Sequence, residues 1–319
     1  MKWEFLVILY MFQGETEAYP ARCMNPIETS QCGLSRTNSS MTERSPRIFG
    51  GSIGEPDQFP WIVLILVRHP DVFCTGSFID AHWIISAAHC FDRKKPSDIK
   101  IYQMHSNEPW NLDSTNKTIY NVSEIIRHPG YGPYDSIPKN DIALLRIAST
   151  AENPIMPICL DGFDLTISHQ DRICFTAGYG LLNRPSSTNM RLNYAPMSFV
   201  DWDTCNATNY QLGITDLEQN HFEKFFCAGE VDRHDSCTGD SGGPLMCRNV
   251  DSCDWVIVGL VSFGPYECGQ GYGVYLNVSE YSSFIESATE DCCKQFSITS
   301  GTDVDGIYNS VPNGGEHHG

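Results

Sequence analysis

Short apolar runs separated by turn residues make up most of the chain between residues 48 and 278. They are rich in β-branched and aromatic residues and are bounded by Gly, Pro or Asn, as in Trp61–Val67, Trp83–Ser86, Ile142–Ile147 and Trp255–Phe263. Runs of this kind are typical of strands. Short strands at regular spacing predict an all-β domain, folded as a barrel or as a sandwich.

One later segment follows a helical pattern instead. Apolar residues recur there at i, i+3, i+4 and i+7, namely at Tyr281, Phe284, Ile285 and Ala288. With Ser279 placed to cap it, this spacing predicts a closing helix of about twelve residues. Residues 294–319 are rich in Gly, Ser, Asn and Asp, and this composition predicts a disordered tail.

The N-terminal part shows neither pattern. Lys2 precedes an apolar run from Phe5 to Phe12, which is too short to span a bilayer as a helix. This arrangement predicts a secretory signal over residues 1–18, with a buried N-terminal helix as the alternative. The polar residues 19–47 are interpreted as a propeptide or light chain. No other stretch is long and apolar enough to predict a membrane anchor.

Composition excludes one class of partner. The 319 residues are 41% hydrophobic and 19% charged, which suits a compact globular protein. Lys and Arg total 21 against 39 Asp and Glu, so the formal net charge is -18. Nucleic-acid binding needs a positive surface, and we therefore expect a basic or neutral partner.

The fourteen cysteines fit an exported protein. In an oxidising compartment an even number of cysteines indicates disulfides, here up to seven, and the spacings typical of metal sites are missing from the sequence. Five N-x-[ST] sequons agree with export and predict glycosylation at Asn38, Asn116, Asn121, Asn206 and Asn277.

Three short stretches carry residues suited to acyl transfer. They place His89 in SAAHC, Asp141 in NDIALL and Ser241 in GDSGGP. A serine nucleophile needs a base, and the base needs a carboxylate that holds it in one tautomer. Each stretch alone is compatible with a core histidine or an ordinary glycine turn. Together, in the order His, Asp, Ser, they predict a catalytic triad.

Glycines around the serine meet the remaining requirement, a site for the oxyanion. Gly239 and the glycine pair after Ser241 allow the backbone to turn tightly. The N–H groups of Gly239 and Ser241 are therefore predicted to point at one spot and to form the oxyanion hole.

On these motifs the chain resembles the trypsin-like (chymotrypsin-fold) serine proteases from Ile48 to the helix near Cys293. The resemblance implies an all-β fold of two six-stranded antiparallel β-barrels with a C-terminal α-helix. It places His89 and Asp141 on the first barrel and Ser241 on the second. It implies no required cofactor.

The resemblance also gives a meaning to the stretch SPRIFGG, which contains Arg47 and Ile48. In that family an Arg-specific protease cuts after such an arginine, and the new amino terminus folds into the second barrel. Here the ammonium of Ile48 would pair with Asp240. Because a buried charge is unfavourable unless it is paired, this cut would switch an inactive zymogen on.

Substrate preference is implied by Asp235, six residues before the nucleophile, at the base of the primary pocket of trypsin-like enzymes. Gly264 and Gly273 match the pocket walls and leave room for a long side chain. A carboxylate in such a pocket is relieved by an Arg or Lys side chain, which makes protein substrates with these residues, and protein protease inhibitors, the expected partners.

Two further positions carry over by resemblance. Ser262 would hydrogen-bond Asp141. Tyr272 stands where a tyrosine accompanies a sodium site in several cascade proteases, so two interpretations stay open: a sodium site, or an aromatic ring that fills the pocket floor.

The resemblance implies five disulfides: Cys32–Cys159, Cys74–Cys90, Cys174–Cys247, Cys205–Cys227 and Cys237–Cys268. The first would keep a cut light chain attached. Four cysteines have no partner in this pattern: Cys23, Cys253, Cys292 and Cys293. We favour a bridge from Cys23 to one of the adjacent pair.

The sequence thus predicts a secreted, glycosylated serine endopeptidase, made as a zymogen and acting after Arg or Lys in limited proteolysis of the cascade type. A digestive or venom trypsin is one alternative. A catalytically weak homologue that serves as a binding or cofactor protein is another, but it would need a lost triad member, and all three are present.

Overall fold

The computed structural model describes residues 32–35, 51–111, 113–134, 137–148, 155–160, 173–181, 190–214, 224–249 and 252–289. Several predicted features lie outside these residues: the signal segment 1–18, most of the propeptide with Arg47 and Ile48, the sequon at Asn38, and the tail 294–319.

Strands dominate the described residues. In chain order they are β1 (Ser52–Ile53), β2 (Ile62–Val67), β3 (Val72–Phe78), β4 (Trp83–Ser86), β5 (Ile99–Met104), β6 (Lys117–Arg127), β7 (Gly132–Tyr134), β8 (Ile137–Lys139), β9 (Ala143–Ile147), β10 (Cys174–Gly178), β11 (Asn193–Pro196), β12 (Phe199–Val200), β13 (Phe225–Ala228), β14 (Pro244–Arg248), β15 (Trp255–Phe263) and β16 (Gly273–Asn277). The helix α1 spans Trp202–Gln211, and α2 spans 282–289.

Six strands close the first barrel in the order β2-β3-β4-β9-β6-β5, and neighbouring strands are antiparallel. Every residue of β2 is buried, which explains why Ile62–Val67 has an unbroken apolar sequence rather than an alternating one. The small hairpin β7–β8 precedes β9. The predicted six-stranded barrel is confirmed here.

The second half of the molecule differs in detail from the predicted six-stranded barrel. Its antiparallel sheet has eight strands in the order β1-β11-β10-β14-β15-β16-β13-β12, and within the described residues no ladder joins its two edge strands. Two short strands account for the additional members: Ser52–Ile53 pairs with β11, and Phe199–Val200 pairs with β13. The all-β, chymotrypsin-type fold is confirmed.

The predicted closing helix is also confirmed. A 3₁₀ turn, Val278–Tyr281, leads into α2, and Tyr281 and Ile285 are buried as their spacing requires. Ser279 does not cap α2. It lies inside the 3₁₀ turn, where its hydroxyl donates to Asn277 Oδ1 at 2.8 Å. Nothing in the described part of the chain is a helix both long and apolar enough to cross a membrane.

The disulfides of the described residues match the five pairs that the resemblance implies. Cys32–Cys159 holds the segment 32–35 against the second sheet, where Gly33 N donates to Pro157 O at 2.7 Å and Trp255 N donates to Gly33 O at 3.0 Å. Cys253, which has no partner in the pattern that the resemblance implies, is also disulfide-bonded. The pairing expected for Cys23 lies outside the described residues.

Candidate active site

The three residues of the predicted triad lie where the two halves of the fold meet. His89 is in a 3₁₀ turn, Ala88–Phe91, directly after β4. Asp141 precedes β9, and Ser241 precedes β14. Both β4 and β9 are strands of the closed barrel and pair with each other, so the barrel sets the distance between His89 and Asp141.

Asp141 is fully buried and accepts three hydrogen bonds. His89 N donates to Oδ1 at 2.8 Å, and the His89 ring nitrogen Nδ1 lies 2.7 Å from Oδ2. Ser262 Oγ, from β15 of the second sheet, donates to Oδ2 at 2.6 Å. The carboxylate therefore holds His89 at both its backbone N–H and its ring nitrogen. The hydrogen bond from Ser262 ties the same carboxylate to the other half of the fold.

The surroundings of His89 act on its pKa in opposite directions. Burial lowers the pKa, whereas the negative charge of Asp141 and the hydrogen bond to it raise the pKa, and the net result lies above the ordinary 6.5. With Nδ1 occupied by Asp141, the other ring nitrogen, Nε2, is left to exchange a proton. The side chain is 31% exposed, so a substrate can reach it.

Ser241 lies in a turn that packs against the residues before His89. Thr75 N donates to Ser241 O at 2.9 Å. Gly242, at φ +77°, has no room for a side chain, because a Cβ there would lie 2.5 Å from Ala87 N. The described residues show no hydrogen bond between Ser241 Oγ and the His89 ring, but the residue after His89 contacts the turn, since Cys90 Sγ lies 3.9 Å from Ser241 O.

The nucleophile turn presents two unused donors. Asp240 N donates to Cys237 O at 2.9 Å and Gly243 N donates to Asp240 O at 2.7 Å, but the N–H groups of Gly239 and Ser241 have no acceptor among the residues that the structure describes. Gly239 has φ +99°, a conformation that favours glycine. Neighbouring free N–H groups of this kind suit an anion that develops on a substrate.

Asp235 is buried with one oxygen unsatisfied. Gly269 N donates to Oδ2 at 2.9 Å, while Oδ1 has no hydrogen-bond partner within the described part of the chain. Burial raises the pKa of this carboxyl to about 7, against the lowering effect of the hydrogen bond from Gly269. A Cβ on Gly273 would lie 3.1 Å from Oδ1, so a side chain there would crowd the carboxylate.

Gly264 and Gly273, the predicted pair of pocket walls, lie beside each other. A Cβ on Gly264 would be 3.6 Å from the Gly273 Cα. The assignment of these two glycines to the walls of a substrate pocket stays a prediction.

Asp240 is a second buried carboxylate without a cation in the described residues. Gly180 N donates to Oδ1 at 2.8 Å and Cys237 N donates to Oδ2 at 2.9 Å. Burial raises its pKa to about 6 despite these two hydrogen bonds. A Cβ on Gly178 or Gly180 would overlap the carboxylate, which therefore occupies a slot that only glycine leaves open.

Asn209 is a residue that the sequence reasoning missed. It is fully buried on α1, where its Nδ2 donates to Tyr272 O at 2.9 Å and its Oδ1 accepts from Tyr272 N at 3.0 Å. Asn209 thereby fixes the backbone next to Gly273. An asparagine without a motif offers no sequence signal for this contact.

The two interpretations of Tyr272, a sodium site or a ring that fills the pocket floor, both stay predictions, and the Tyr272 carbonyl accepts the hydrogen bond from Asn209. In the described residues no group of three or more His, Cys, Asp or Glu side chains could hold a metal ion.

Among the predicted glycosylation sites, Asn116 and Asn121 are exposed, and Asn206 and Asn277 are partly exposed.

Comparison with known proteins assigns the family. The trypsin family model matches residues 48–285, and the chain belongs to this family, whose members need no cofactor. The chain is 33% identical to CLIP domain-containing serine protease B4 of Anopheles gambiae, over 81% of this chain and 72% of that protein. It is 34% identical to serine protease 41 of Homo sapiens, over 75% of each chain. It is 31% identical to the phenoloxidase-activating enzyme of Bombyx mori, over 76% of this chain and 61% of that protein.

The opposing influences on His89 lead to a first prediction. Asp141→Asn removes the charge that raises the pKa of His89 and leaves burial, so the pKa should fall below 6.5. An NMR titration of the ring protons would measure it. His128, whose pKa is lowered by burial and by Lys224, serves as the internal control and should not move. An unchanged or higher pKa for His89 in the variant would contradict this account.

Proposed function

We propose that the protein is a secreted serine endopeptidase that is made as a zymogen, is activated by a cut after Arg47, and cleaves protein substrates after Arg or Lys. The observation that carries the proposal is the chain of contacts Ser262–Asp141–His89 at the turn of Ser241. Membership of the trypsin family supports the peptidase activity.

In the proposed reaction, Ser241 Oγ attacks the scissile carbonyl carbon while His89 Nε2 takes the hydroxyl proton. The negative charge that forms on the carbonyl oxygen is stabilised by the N–H groups of Gly239 and Ser241. Asp141 stabilises the imidazolium. His89 then gives the proton to the leaving amine, the C–N bond breaks, and an ester of Ser241 remains. Water hydrolyses this ester, with His89 again moving the proton.

The pocket above Asp235 supports a preference for Arg and Lys. The carboxylate has a free oxygen at a place where burial already disfavours its charge, and a guanidinium or ammonium group would supply both a donor and the opposite charge. A small apolar side chain would leave the oxygen unsatisfied. Discrimination against such side chains can therefore be large.

The state of Asp240 supports activation by proteolysis. The carboxylate is buried with two N–H donors and no cation within the described residues, and the family model begins at Ile48. In the proposal, the ammonium released at Ile48 by cutting after Arg47 supplies the missing charge. Pairing would favour the ionised carboxylate and lock the turn that carries Gly239 and Ser241.

A role in limited proteolysis, within a cascade, is favoured over digestion. The disulfide Cys32–Cys159 would retain the light chain after activation. Relatives include proteins named phenoloxidase-activating enzyme and vitamin K-dependent protein C. The expected partners are an activating Arg-specific protease, protein substrates and protein inhibitors, and the disulfides and sequons support an extracellular location.

The enzyme assignment is tested by Ser241→Ala. The variant should fold and be cut normally but hydrolyse an arginyl peptide amide about 10⁶-fold more slowly, because the nucleophile is gone. A serine-directed phosphonate should label the wild-type enzyme and not the variant. Equal turnover by the two purified proteins would remove the basis for the assignment.

The pocket assignment is tested by Asp235→Ser, with exposed Asp203→Ser as a control for the loss of one charge. Asp235→Ser should lose most of a preference for Arg and Lys that can reach about 10⁴, while the triad stays intact. Cleavage of a peptide library before and after the change gives the measurement. If Asp235→Ser still prefers Arg and Lys, another group must recognise the basic side chain of the substrate.

The activation step is tested with the secreted, uncut chain, which should be almost inactive until an Arg-specific protease cuts after Arg47. A non-reducing gel should then show one species, because Cys32–Cys159 holds the two chains together, and reduction should release a short N-terminal chain. Arg47→Gln should block activation by this route. Full activity of the uncut chain would refute the proposed switch.

A further inference from the structure

Thr75 is a buried residue of the first barrel whose polar groups all contact elements of the active site. Its N–H donates to Ser241 O at 2.9 Å, and its carbonyl oxygen accepts from Ser86 Oγ at 2.8 Å. Ser86 ends the strand that leads to His89. The side chain is fully buried, so water cannot replace any of these hydrogen bonds.

The hydroxyl of Thr75 crosses between the two halves of the fold. Oγ1 donates to Gly239 O at 3.0 Å and accepts from Tyr179 N at 3.2 Å. A hydroxyl offers one donor and two acceptor positions, so a single side chain satisfies a carbonyl and an N–H that lie on different segments. Neither valine nor alanine could make these bonds.

The contact with Gly239 bears on the oxyanion hole through the two peptide groups that flank this glycine. The peptide before it is held because Leu181 N donates to Thr238 O at 2.8 Å. The peptide after it is held by Thr75 Oγ1 at the Gly239 carbonyl. That same peptide is also held at its N–H, because Asp240 N donates to Cys237 O at 2.9 Å. A glycine at φ +99° has wide conformational freedom, so these three contacts together fix where its N–H points, and the Thr75 hydroxyl is the one that comes from the first barrel.

We propose that Thr75 is a positioning residue for the oxyanion hole: its hydroxyl fixes the Gly239 carbonyl and thereby aims the Gly239 N–H at the substrate oxygen. The inference rests on the proposed peptidase function, because the oxyanion forms only in that reaction. Thr75 touches no reacting atom. Its effect falls on the transition state and not on the pocket above Asp235.

The first test compares Thr75→Val, which keeps the shape and removes the hydroxyl, with Thr75→Ser, which keeps the hydroxyl. In the activated enzyme, Thr75→Val should lower kcat for an arginyl amide by about tenfold to a hundredfold, somewhat less than the loss of an oxyanion donor itself. KM should change little. Thr75→Ser should retain most of the wild-type kcat, which a purely packing role would not predict.

The second test separates the oxyanion hole from the pocket with two inhibitors. An arginyl peptide aldehyde forms a tetrahedral adduct whose oxygen enters the oxyanion hole, whereas benzamidine carries only the cation for Asp235. Thr75→Val should weaken the aldehyde by about tenfold or more and leave benzamidine binding unchanged. Equal weakening of both, or of neither, would overturn the proposal.

Ser77→Ala is the matched control, since Ser77 lies two residues along the same strand and its buried hydroxyl has no hydrogen-bond partner in the described part of the chain. It should leave kcat and the affinity for both inhibitors unchanged.

Active-site titration corrects each kcat for misfolded protein. Thr75→Ala replaces Thr75→Val if the latter cannot be purified. If wild-type enzyme hydrolyses no arginyl amide, the proposed function fails. If it does and Thr75→Val matches it, only the role of Thr75 fails.

Discussion

The burial of carboxylates is the constraint on which the active region depends. A charged group removed from water costs several kcal/mol unless hydrogen bonds and an opposite charge replace its hydration. Asp141, Asp235 and Asp240 are all buried. Each of them has a different set of partners, and that difference assigns each a different part in the proposed reaction.

Asp141 is satisfied within the chain, by His89 on one barrel and Ser262 on the other sheet, and so it can hold the base in one orientation. Asp235 is satisfied on one oxygen only, and the other is buried beside Gly273 without a hydrogen-bond partner in the described residues, where the proposed function places the cation of a substrate. Asp240 has donors for both oxygens but no charge partner in the described residues. In the proposed function, the orientation of the base, the preference for a basic substrate and activation by cutting each rest on how one of these buried carboxylates is satisfied.

Much of this could be predicted from sequence because the relevant chemistry is encoded in short motifs. The five disulfides form as the resemblance implies, and His89 contacts Asp141 as a triad requires, while the roles of Ser241 and Asp235 stay predictions. The edge strands β1 and β12 were not predicted, since a two-residue strand has too little pattern to be seen. Asn209 and Thr75 were missed because their partners lie 63 and 164 residues away, and only the folded chain brings them together.

The two unpaired carboxylates are also linked to each other. The charge of Asp240 contributes, after burial, to the raised pKa of Asp235. If the ammonium of Ile48 pairs with Asp240, as proposed, it cancels that charge and lowers the pKa of Asp235. Because that pKa is about 7, even a small decrease enlarges the ionised fraction near neutral pH. Activation would then order the oxyanion hole and strengthen the charge that recognises a basic substrate, so one cut would prepare both catalysis and selectivity.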